Sequence, residues 1–163
     1  MKITFEQIGT IFTPFKSREG MPIQSNGAKG IKGKIEINRD LSIGLNDLNG
    51  FSHIILIYYF HKSKGFELET TPFLDNEKKG VFSTRAPKRP NSIGISVVKL
   101  VEIKDNNLYV ENIDILDETP LLDIKPYIPE FDNHKVKKIG WIKNKTEQLN
   151  TIKSDNRFIN ESN

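Results

Sequence analysis

The sequence predicts an all-β fold: a small β-barrel formed by a single sheet, with long functional loops and a short, mostly irregular C-terminal segment. Six or more runs rich in β-branched and aromatic residues are separated by segments rich in Pro, Gly and Ser. The chain has 163 residues, of which 36% are hydrophobic and 28% charged. This composition is typical of one soluble globular domain, and the length suffices for one buried core.

The N-terminal third predicts two strands and one long loop. Residues 3–12 predict the first strand, which ends at Thr13-Pro14. Residues 13–30 are rich in Pro, Gly, Ser and Lys, and loops of this length are usually functional or disordered. The alternation over Gly33–Ile37 predicts a short, half-buried strand, and Ile43–Leu48 predicts a turn of helix.

The strongest strand signal is Phe51–His61, which is β-branched and aromatic throughout. This composition predicts a strand with both faces buried. His61 stands at the end of the strand, where the chain leaves the sheet and a side chain can reach a site. Either a functional histidine or a structural one fits this position.

The segment Gly80–Ser96 predicts a rigid, extended loop between strand-like Val81–Thr84 and strand-like Ile93–Ile103. Its prolines fix φ and push the preceding residues out of the helical region. The loop carries three cations within five residues: Arg85, Lys88 and Arg89. Arginine pairs are natural ligands of anions, although such cations can also simply be solvated.

The next segment predicts a hairpin, in which Ile93–Glu102 and Leu108–Ile115 are joined by the polar turn Lys-Asp-Asn-Asn. Residues 114–129 then place three carboxylates in an otherwise apolar stretch: Asp114, Asp117 and Asp123. Buried carboxylates are costly unless they are paired or functional, so these either bind a ligand or cap turns and pair with nearby cations. We expect a barrel domain over residues 1–132 and a basic extension over 133–163, in the form of a short helix or a frayed tail.

Several classes of function are excluded or disfavoured. The net charge is only +3, so anion binding must come from clustered cations. There is no cysteine, and the three histidines lack metal-ligand spacing, so we expect no metal. Gly27, Gly30 and Gly33 do not match a nucleotide-binding motif. The longest apolar run, Ile54–Phe60, is too short to span a bilayer, and the N-terminus lacks an apolar signal core. We therefore expect a cytoplasmic protein that does not enter a membrane.

Several unusual motifs together resemble one family, the TsaA-like or TrmO proteins, which are S-adenosylmethionine-dependent tRNA methyltransferases. The resemblance covers roughly residues 8–132 and is carried by Gly-Thr-Ile-Phe-Thr-Pro-Phe-Lys (9–16), Met-Pro-Ile-Gln (21–24), Leu-Asn-Gly-Phe-Ser-His-Ile (48–54), Phe-His-Lys-Ser (60–63), Gly-Val-Phe-Ser-Thr-Arg-Ala-Pro-Lys-Arg-Pro-Asn-Ser-Ile-Gly (80–94) and Asp-Ile-Leu-Asp-Glu-Thr-Pro-Leu-Leu-Asp-Ile-Lys-Pro-Tyr-Ile-Pro (114–129). It implies a small β-barrel that forms a homodimer, with the cofactor near the subunit interface. It also implies methylation of the exocyclic amino nitrogen of threonylcarbamoyl-adenosine, next to the tRNA anticodon.

The resemblance implies a set of cofactor-binding residues in four segments. They are Pro22, Ile23, Gln24, His61, Lys62, Arg85, Ile95, Asp117, Glu118, Thr119 and Pro120. Two of them depart from the family pattern. Ile23 stands where many members have Arg, and Glu118 stands where Gly is usual, which argues against a positive φ at that turn.

The implied reaction requires a group that accepts the proton lost by the nucleophilic nitrogen. Asp117 and His61 are the two candidate catalytic residues, and Lys88 and Arg89 are assigned to RNA binding. The alternative is a non-catalytic β-barrel module that binds RNA or a small anionic ligand. Exposed aromatic residues for base stacking are not evident, since Tyr58, Tyr59 and Phe60 belong to a core strand.

Overall fold

The structure is a computed structural model that describes residues 1–148 and 151–158. These residues form eight strands: β1 (Gly9–Phe12), β2 (Lys32–Ile37), β3 (His53–Tyr59), β4 (Glu69–Thr70), β5 (Lys79–Gly80), β6 (Ile93–Lys104), β7 (Asn107–Glu111) and β8 (Thr119–Pro126). One short α-helix, α1 (Pro129–Asp132), follows β8. Several 3₁₀ turns connect the strands, so the predicted all-β class is confirmed.

Six of the strands form a closed antiparallel barrel in the order β1-β2-β7-β6-β3-β8, and β4 pairs only with β5. The barrel closes where β1 pairs with β8, with Ile11 opposite Thr119. Closure leaves these strands without a free edge. The inward-facing side chains form one core of Ile, Leu and Val: Ile11, Ile35, Ile37, Ile54, Leu56, Val98, Leu100, Leu108, Val110, Ile113, Ile115 and Leu121, with Tyr58 at one end.

Strand β3 follows the period of two that a half-buried strand requires. Ile54, Leu56 and Tyr58 point into the core, and the alternate residues lie on the outer face. Tyr59 on that outer face is 42% exposed. The prediction that both faces of this strand are buried is therefore wrong for the single chain. One face of β3 points into the barrel core, and the other lies on the outer surface of the barrel.

Two predicted strands are shorter than expected or absent. The first strand covers Gly9–Phe12 rather than residues 3–12, because β2 ends at Ile37, opposite Gly9, and offers no partner to the earlier residues. Residues 81–84 are not strand: Val81–Ser83 is a 3₁₀ turn. The hydroxyls of Ser83 and Thr84 each donate to a carbonyl three residues back, which favours a tight turn over a strand.

The hairpin between β6 and β7 is confirmed, but its turn is tighter than predicted. Lys104 pairs with Asn107, which leaves only Asp105 and Asn106 in the turn. Asp105 has a φ of 53°, as a two-residue hairpin turn requires. Strand β7 ends at Glu111, earlier than the predicted Ile115. The sequence does not predict β8, because this strand contains Pro120 and Pro126. Both prolines lie near the ends of β8, where they interrupt the ladder least.

The prediction of a short helix or frayed tail over residues 133–163 falls partly on residues 149–150 and 159–163, which lie outside the described residues. The described part contains 3₁₀ turns at Gly140–Ile142, Thr146–Gln148 and Asn156–Phe158. It packs on the rest of the protein: the Trp141 indole N–H donates to the carbonyl of Ser83, and Pro22 and Lys153 form a β-bridge. Within the described residues, no helix has the length and apolar character needed to cross a lipid bilayer.

Glu118 adopts a φ of 58° in the turn before β8. This region of backbone space favours glycine, because an L side chain there crowds the following carbonyl oxygen. The expectation that Glu118 argues against a positive φ is therefore wrong. The barrel imposes this turn on the residue that is present, because Asp117 and Thr119 on either side of it are both fixed to other segments.

We predict that Glu118→Gly stabilises the protein. Removal of the Cβ releases the strain of the positive φ, and the free energy of unfolding should rise by about 1 kcal/mol. Urea denaturation followed by circular dichroism measures this change. Asp123→Gly, in an ordinary extended position of β8, is the matched control and should destabilise the protein instead. A lower stability of Glu118→Gly would contradict the interpretation of strain.

Candidate active site

A cavity of about 190 Å³ opens at the end of the barrel where β3 ends and β6 and β8 begin. Its walls come from the loop after β1, the basic loop before β6, the turn before β8 and the C-terminal segment. A wider groove of about 890 Å³ lies beside it, and six residues line both: Ile23, Gln24, Phe73, Arg85, Pro87 and Phe158. Segments that are distant in sequence thus meet at one place.

Most of the predicted cofactor-binding residues line this cavity. Those that do are Pro22, Ile23, Gln24, His61, Lys62, Arg85, Ile95 and Thr119. Those that do not are Asp117, Glu118 and Pro120. Of the two residues predicted to bind RNA, Arg89 lines the cavity, whereas Lys88 lies outside it, 3.8 Å from a carboxylate oxygen of Glu67.

The basic loop is held in place by hydrogen bonds from its own arginines. The guanidinium of Arg85 donates to the side-chain oxygen of Gln24 at 2.9 Å, which ties this loop to the first loop. The guanidinium of Arg89 donates to the carbonyl of Thr84 at 3.2 Å. The cations are therefore positioned rather than freely solvated, as expected of a loop with a binding role.

The aromatic floor of the cavity depends on a glycine. The rings of Tyr58 and Phe60 meet edge to face with centroids 5.4 Å apart. A Cβ at Gly94 would lie 2.3 Å from the ring of Tyr58, so only glycine permits this packing. The Tyr58 hydroxyl lies 3.1 Å from the Ser96 hydroxyl, which gives the buried phenol a hydrogen-bond partner.

His61 lines the cavity, and one of its ring nitrogens has no partner among the described residues. Its Nδ1 lies 3.4 Å from the hydroxyl oxygen of Thr119, and that hydroxyl donates its own hydrogen to the carbonyl of Leu116 at 2.6 Å. The Thr119 oxygen can therefore only accept from His61, which assigns the proton to Nδ1. The Nε2 atom is left as a buried acceptor without a partner among the described residues.

The charge state of His61 agrees with this hydrogen-bond pattern. Burial lowers the pKa of His61, and the neighbouring cations Lys62 and Arg18 lower it further. The imidazole is therefore neutral at physiological pH, with a lone pair on Nε2. Such a group can accept a proton.

Asp117, the other candidate proton acceptor, is engaged elsewhere. Its carboxylate accepts a hydrogen bond from the backbone N–H of Thr13 at 2.8 Å and pairs with Lys16. Burial alone would raise the pKa of Asp117, but these two partners outweigh burial and hold it below its usual value. The carboxylate thus fastens the first loop to the turn before β8.

Asp114 is one of the three carboxylates in the apolar stretch 114–129, and the sequence assigns it no role in the site. It lines the cavity, and its Oδ1 is buried without a hydrogen-bond partner among the described residues. Burial raises the pKa of Asp114, against the opposing effects of the Ser96 hydroxyl and Arg85. The apolar neighbours Ile113 and Ile115 are the signal that could have identified it, because an acid between buried residues points to a special environment.

The C-terminal segment completes the cavity wall, which the sequence did not predict. Phe158 is buried and packs edge to face on Phe73 with centroids 4.9 Å apart. The backbone N–H of Ser154 donates to the carbonyl of Met21 at 2.8 Å. Ser154 and Phe158 both line the cavity, so this segment closes the side that the barrel leaves open.

Aromatic side chains line the wider groove, contrary to the expectation that residues suited to base stacking are not evident. Apart from His53 at the start of β3, they come from loops and from the C-terminal segment. They are His53, Phe73, Phe82, Tyr127, Trp141 and Phe158. Phe82 is 75% exposed, so a flat ring is available to a ligand at this position.

The fold and the cavity define a closed β-barrel protein with a ligand site at one barrel end. Comparison with known proteins then identifies the family. The model of the tRNA-methyltransferase O N-terminal domain matches residues 10–133. The chain belongs to this family, the TrmO family, as its sequence motifs predicted.

Individual relatives show how far the similarity extends. A probable S-adenosyl-L-methionine-binding protein of Pyrococcus abyssi is 50% identical over 98% of this chain and 86% of its own length. The human tRNA (adenine(37)-N6)-methyltransferase is 36% identical over 78% of this chain. The crystal structure of TrmO from Pseudomonas aeruginosa matches 86% of this chain with a TM-score of 0.73 and 34% identity. The chain spans only 31% of the human protein and 63% of the Pseudomonas chain.

We predict that the buried Asp114 destabilises the protein at neutral pH. Its pKa in the folded protein is raised above the ordinary value of 3.8. The carboxyl group therefore does not lower the free energy of unfolding below pH 3.8. It lowers it increasingly as the pH rises from 3.8 to the folded pKa. Asp114→Asn should therefore gain stability relative to the wild type between acidic and neutral pH. Urea denaturation at several pH values measures this, with Asp123→Asn, at a half-exposed position, as the control. A relative loss of stability with rising pH would contradict it.

Proposed function

We propose that this chain is an S-adenosylmethionine-dependent tRNA methyltransferase. It methylates the exocyclic amino nitrogen of threonylcarbamoyl-adenosine next to the anticodon. Membership of the TrmO family supports the class of reaction, and the relatives named above support the cofactor and the tRNA substrate. The observation that carries the proposal is the cavity itself, whose wall contains most of the predicted cofactor residues and two residues with an unpartnered polar atom, His61 and Asp114.

The residues present fit S-adenosylmethionine. Of the three buried side-chain polar atoms without a partner in the described part of the chain, two belong to residues of the cavity wall, His61 and Asp114. Buried polar atoms are rarely left unpaired unless a ligand or water satisfies them. The bound cofactor supplies a methyl group activated by a sulfonium. Pro22, Ile23 and Ile95 give the wall an apolar surface, and the proposed role of Arg85, which also lines the cavity, is to bind the carboxylate of the cofactor.

His61 is better placed than Asp117 to accept the proton from the substrate nitrogen. His61 lines the cavity and its Nε2 has no partner in the described structure, whereas the carboxylate of Asp117 is occupied by Thr13 and Lys16 outside the cavity wall. A base of this kind typically accelerates a reaction by a factor of about 10²–10⁴. The remaining contribution of the protein is orientation, since the loops hold the two reactants in line.

The wider groove is proposed to receive the nucleobase and its neighbours. It joins the cavity through Arg85, so a base that stacks on Phe82 or Trp141 could place its substituent in the cavity. Lys88 and Arg89 on the basic loop are proposed to bind the RNA backbone and the threonyl carboxylate. Because the substrate is tRNA, the proposed location is the cytoplasm.

We also propose that the chain forms a homodimer with the cofactor near the interface. The outer face of β3 and β6 carries exposed apolar side chains: Tyr59 is 42%, Ile95 52% and Val101 53% exposed. Ile95 lies on this face and also lines the cavity. A second copy on this face would cover the apolar side chains and approach the cofactor.

The function is tested by incubating the protein with tRNA and S-adenosylmethionine, followed by mass spectrometry of the tRNA nucleosides. We predict a methylated threonylcarbamoyl-adenosine and a rate that rises with pH through a pKa below 6.5 and is flat at neutral pH, because His61 must be neutral. His61→Asn keeps a donor for Thr119 but removes the base, and the rate should fall by a factor of about 10²–10⁴.

His134→Asn, at an exposed position that lines neither the cavity nor the groove, is the matched control. Thermal unfolding with and without S-adenosylmethionine runs alongside, since a bound cofactor stabilises the folded state by mass action. Stabilisation without any methylated nucleoside would favour a binding module. No stabilisation at millimolar cofactor would refute the proposed cofactor.

RNA binding by the basic loop gives a separate prediction. Lys88→Ala should weaken tRNA binding and reduce the slope of log affinity against log salt by about one, because one phosphate contact is lost. Affinity for the cofactor should not change, since Lys88 lies outside the cavity wall. Lys104→Ala, at the far end of β6, is the control. Filter binding at several salt concentrations measures both variants, and an unchanged slope for Lys88→Ala would remove it from the interface.

A further inference from the structure

Asp114 carries the one carboxylate in the cavity wall that has no cationic partner in the described structure and has an oxygen, Oδ1, without a hydrogen-bond donor. The other acid in the wall, Asp155, receives hydrogen bonds from the backbone N–H of Arg157 at 3.0 Å and from its guanidinium at 2.9 Å. Asp117 is bound to Thr13 and Lys16. Asp114 forms no ion pair within residues 1–148 and 151–158, and its Oδ1 is buried.

A buried carboxylate oxygen without a partner is costly, so a ligand that supplies hydrogen-bond donors would bind strongly to it. A cationic donor gains most, because it also provides the missing opposite charge. The remaining charged side chains in the cavity wall cannot complement a cation. Apart from Asp155, they are basic: Arg18, Lys62, Arg85 and Arg89. Asp114 is therefore the point in this cavity where a cationic group of a ligand fits.

Arg85 lies in the same wall and acts electrostatically on Asp114. It gives one hydrogen bond to Gln24 at 2.9 Å, which fixes the direction of its guanidinium and leaves further N–H groups for a ligand. An acid and a base thus face one small space. The α-carbon of an amino acid carries an ammonium and a carboxylate side by side, which is the complementary arrangement.

We propose that Asp114 and Arg85 together bind the amino-acid end of the cofactor, with Asp114 accepting from the α-ammonium and Arg85 donating to the α-carboxylate. This inference rests on the proposed function, which supplies the ligand. It assigns Asp114 a binding role and explains why an acid without an ion pair stays in this cavity wall. The substrate does not compete for Asp114, because the nitrogen of its threonyl group is part of a urea and carries no charge.

Calorimetric titration with three ligands tests the assignment. S-adenosylmethionine and S-adenosylhomocysteine both contain the amino-acid end, whereas 5′-methylthioadenosine lacks it. Asp114→Asn should weaken binding of the first two ligands by about ten- to hundredfold, since a charged hydrogen bond is lost, and leave 5′-methylthioadenosine within about twofold. Asp123→Asn, which lines neither cavity nor groove, should bind all three ligands as the wild type does.

Decarboxylated S-adenosylmethionine separates the two halves of the pair. It keeps the ammonium but lacks the carboxylate, so Asp114→Asn should weaken its binding while Arg85→Ala should not. If Asp114→Asn weakens all ligands equally, including 5′-methylthioadenosine, Asp114 only maintains the shape of the cavity and the proposal is wrong. If it weakens none, the proposal is also wrong.

Binding of 5′-methylthioadenosine by Asp114→Asn shows that the variant is folded. If it does not fold, Asp114→Ser takes its place and should show the same selective loss. The outcome for the wild type separates this proposal from the proposed function. If the wild type and Asp114→Asn bind S-adenosylhomocysteine equally well, only the role of Asp114 is overturned. A wild type that binds none of the ligands overturns both.

Discussion

The pairing of β1 with β8 is the constraint on which the site depends. It closes the barrel, and with Ile11 opposite Thr119 it brings the loop after β1 against the turn before β8. Beyond the strands the contact continues, because Thr13 donates to Asp117 and the backbone N–H of Asp117 donates to the carbonyl of Phe15 at 2.8 Å. The first loop is thereby held beside the end of β3, where His61 leaves the sheet. A change of register here would separate the walls of the cavity.

The cavity combines a rigid frame with polar atoms that the frame does not satisfy. Tyr58 and Ser96 satisfy each other, and Gln24 satisfies part of Arg85. In contrast, His61 Nε2 and Asp114 Oδ1 are held in place without a partner in the described structure. Groups of this kind reduce the stability of the free protein, and binding sites commonly tolerate that cost because the ligand recovers it. The barrel core of Ile, Leu and Val provides the stability that permits this.

Much of the fold could be predicted from the sequence, because period-two alternation and β-branched composition are local signals. These signals predicted β2, β3 and the β6–β7 hairpin. They did not predict β8, because its two prolines are untypical of a strand. The sequence also indicated four segments of the site from residue type. It could not separate Asp114 from Asp117, since both lie in the same acidic, apolar stretch. Their difference arises from Thr13 and Lys16, about a hundred positions away in the chain, and local patterns do not contain such contacts.

The return of the C-terminal segment to the first loop has a consequence for biosynthesis. A chain that leaves the ribosome from its N-terminus exposes the first loop early, but the loop cannot acquire its final neighbours until β8 and then Ser154 and Phe158 have emerged. The barrel can therefore assemble before the pocket is complete. A nascent or prematurely terminated chain that stops after β8 contains all eight strands of the described structure yet lacks the wall that Ser154 and Phe158 form.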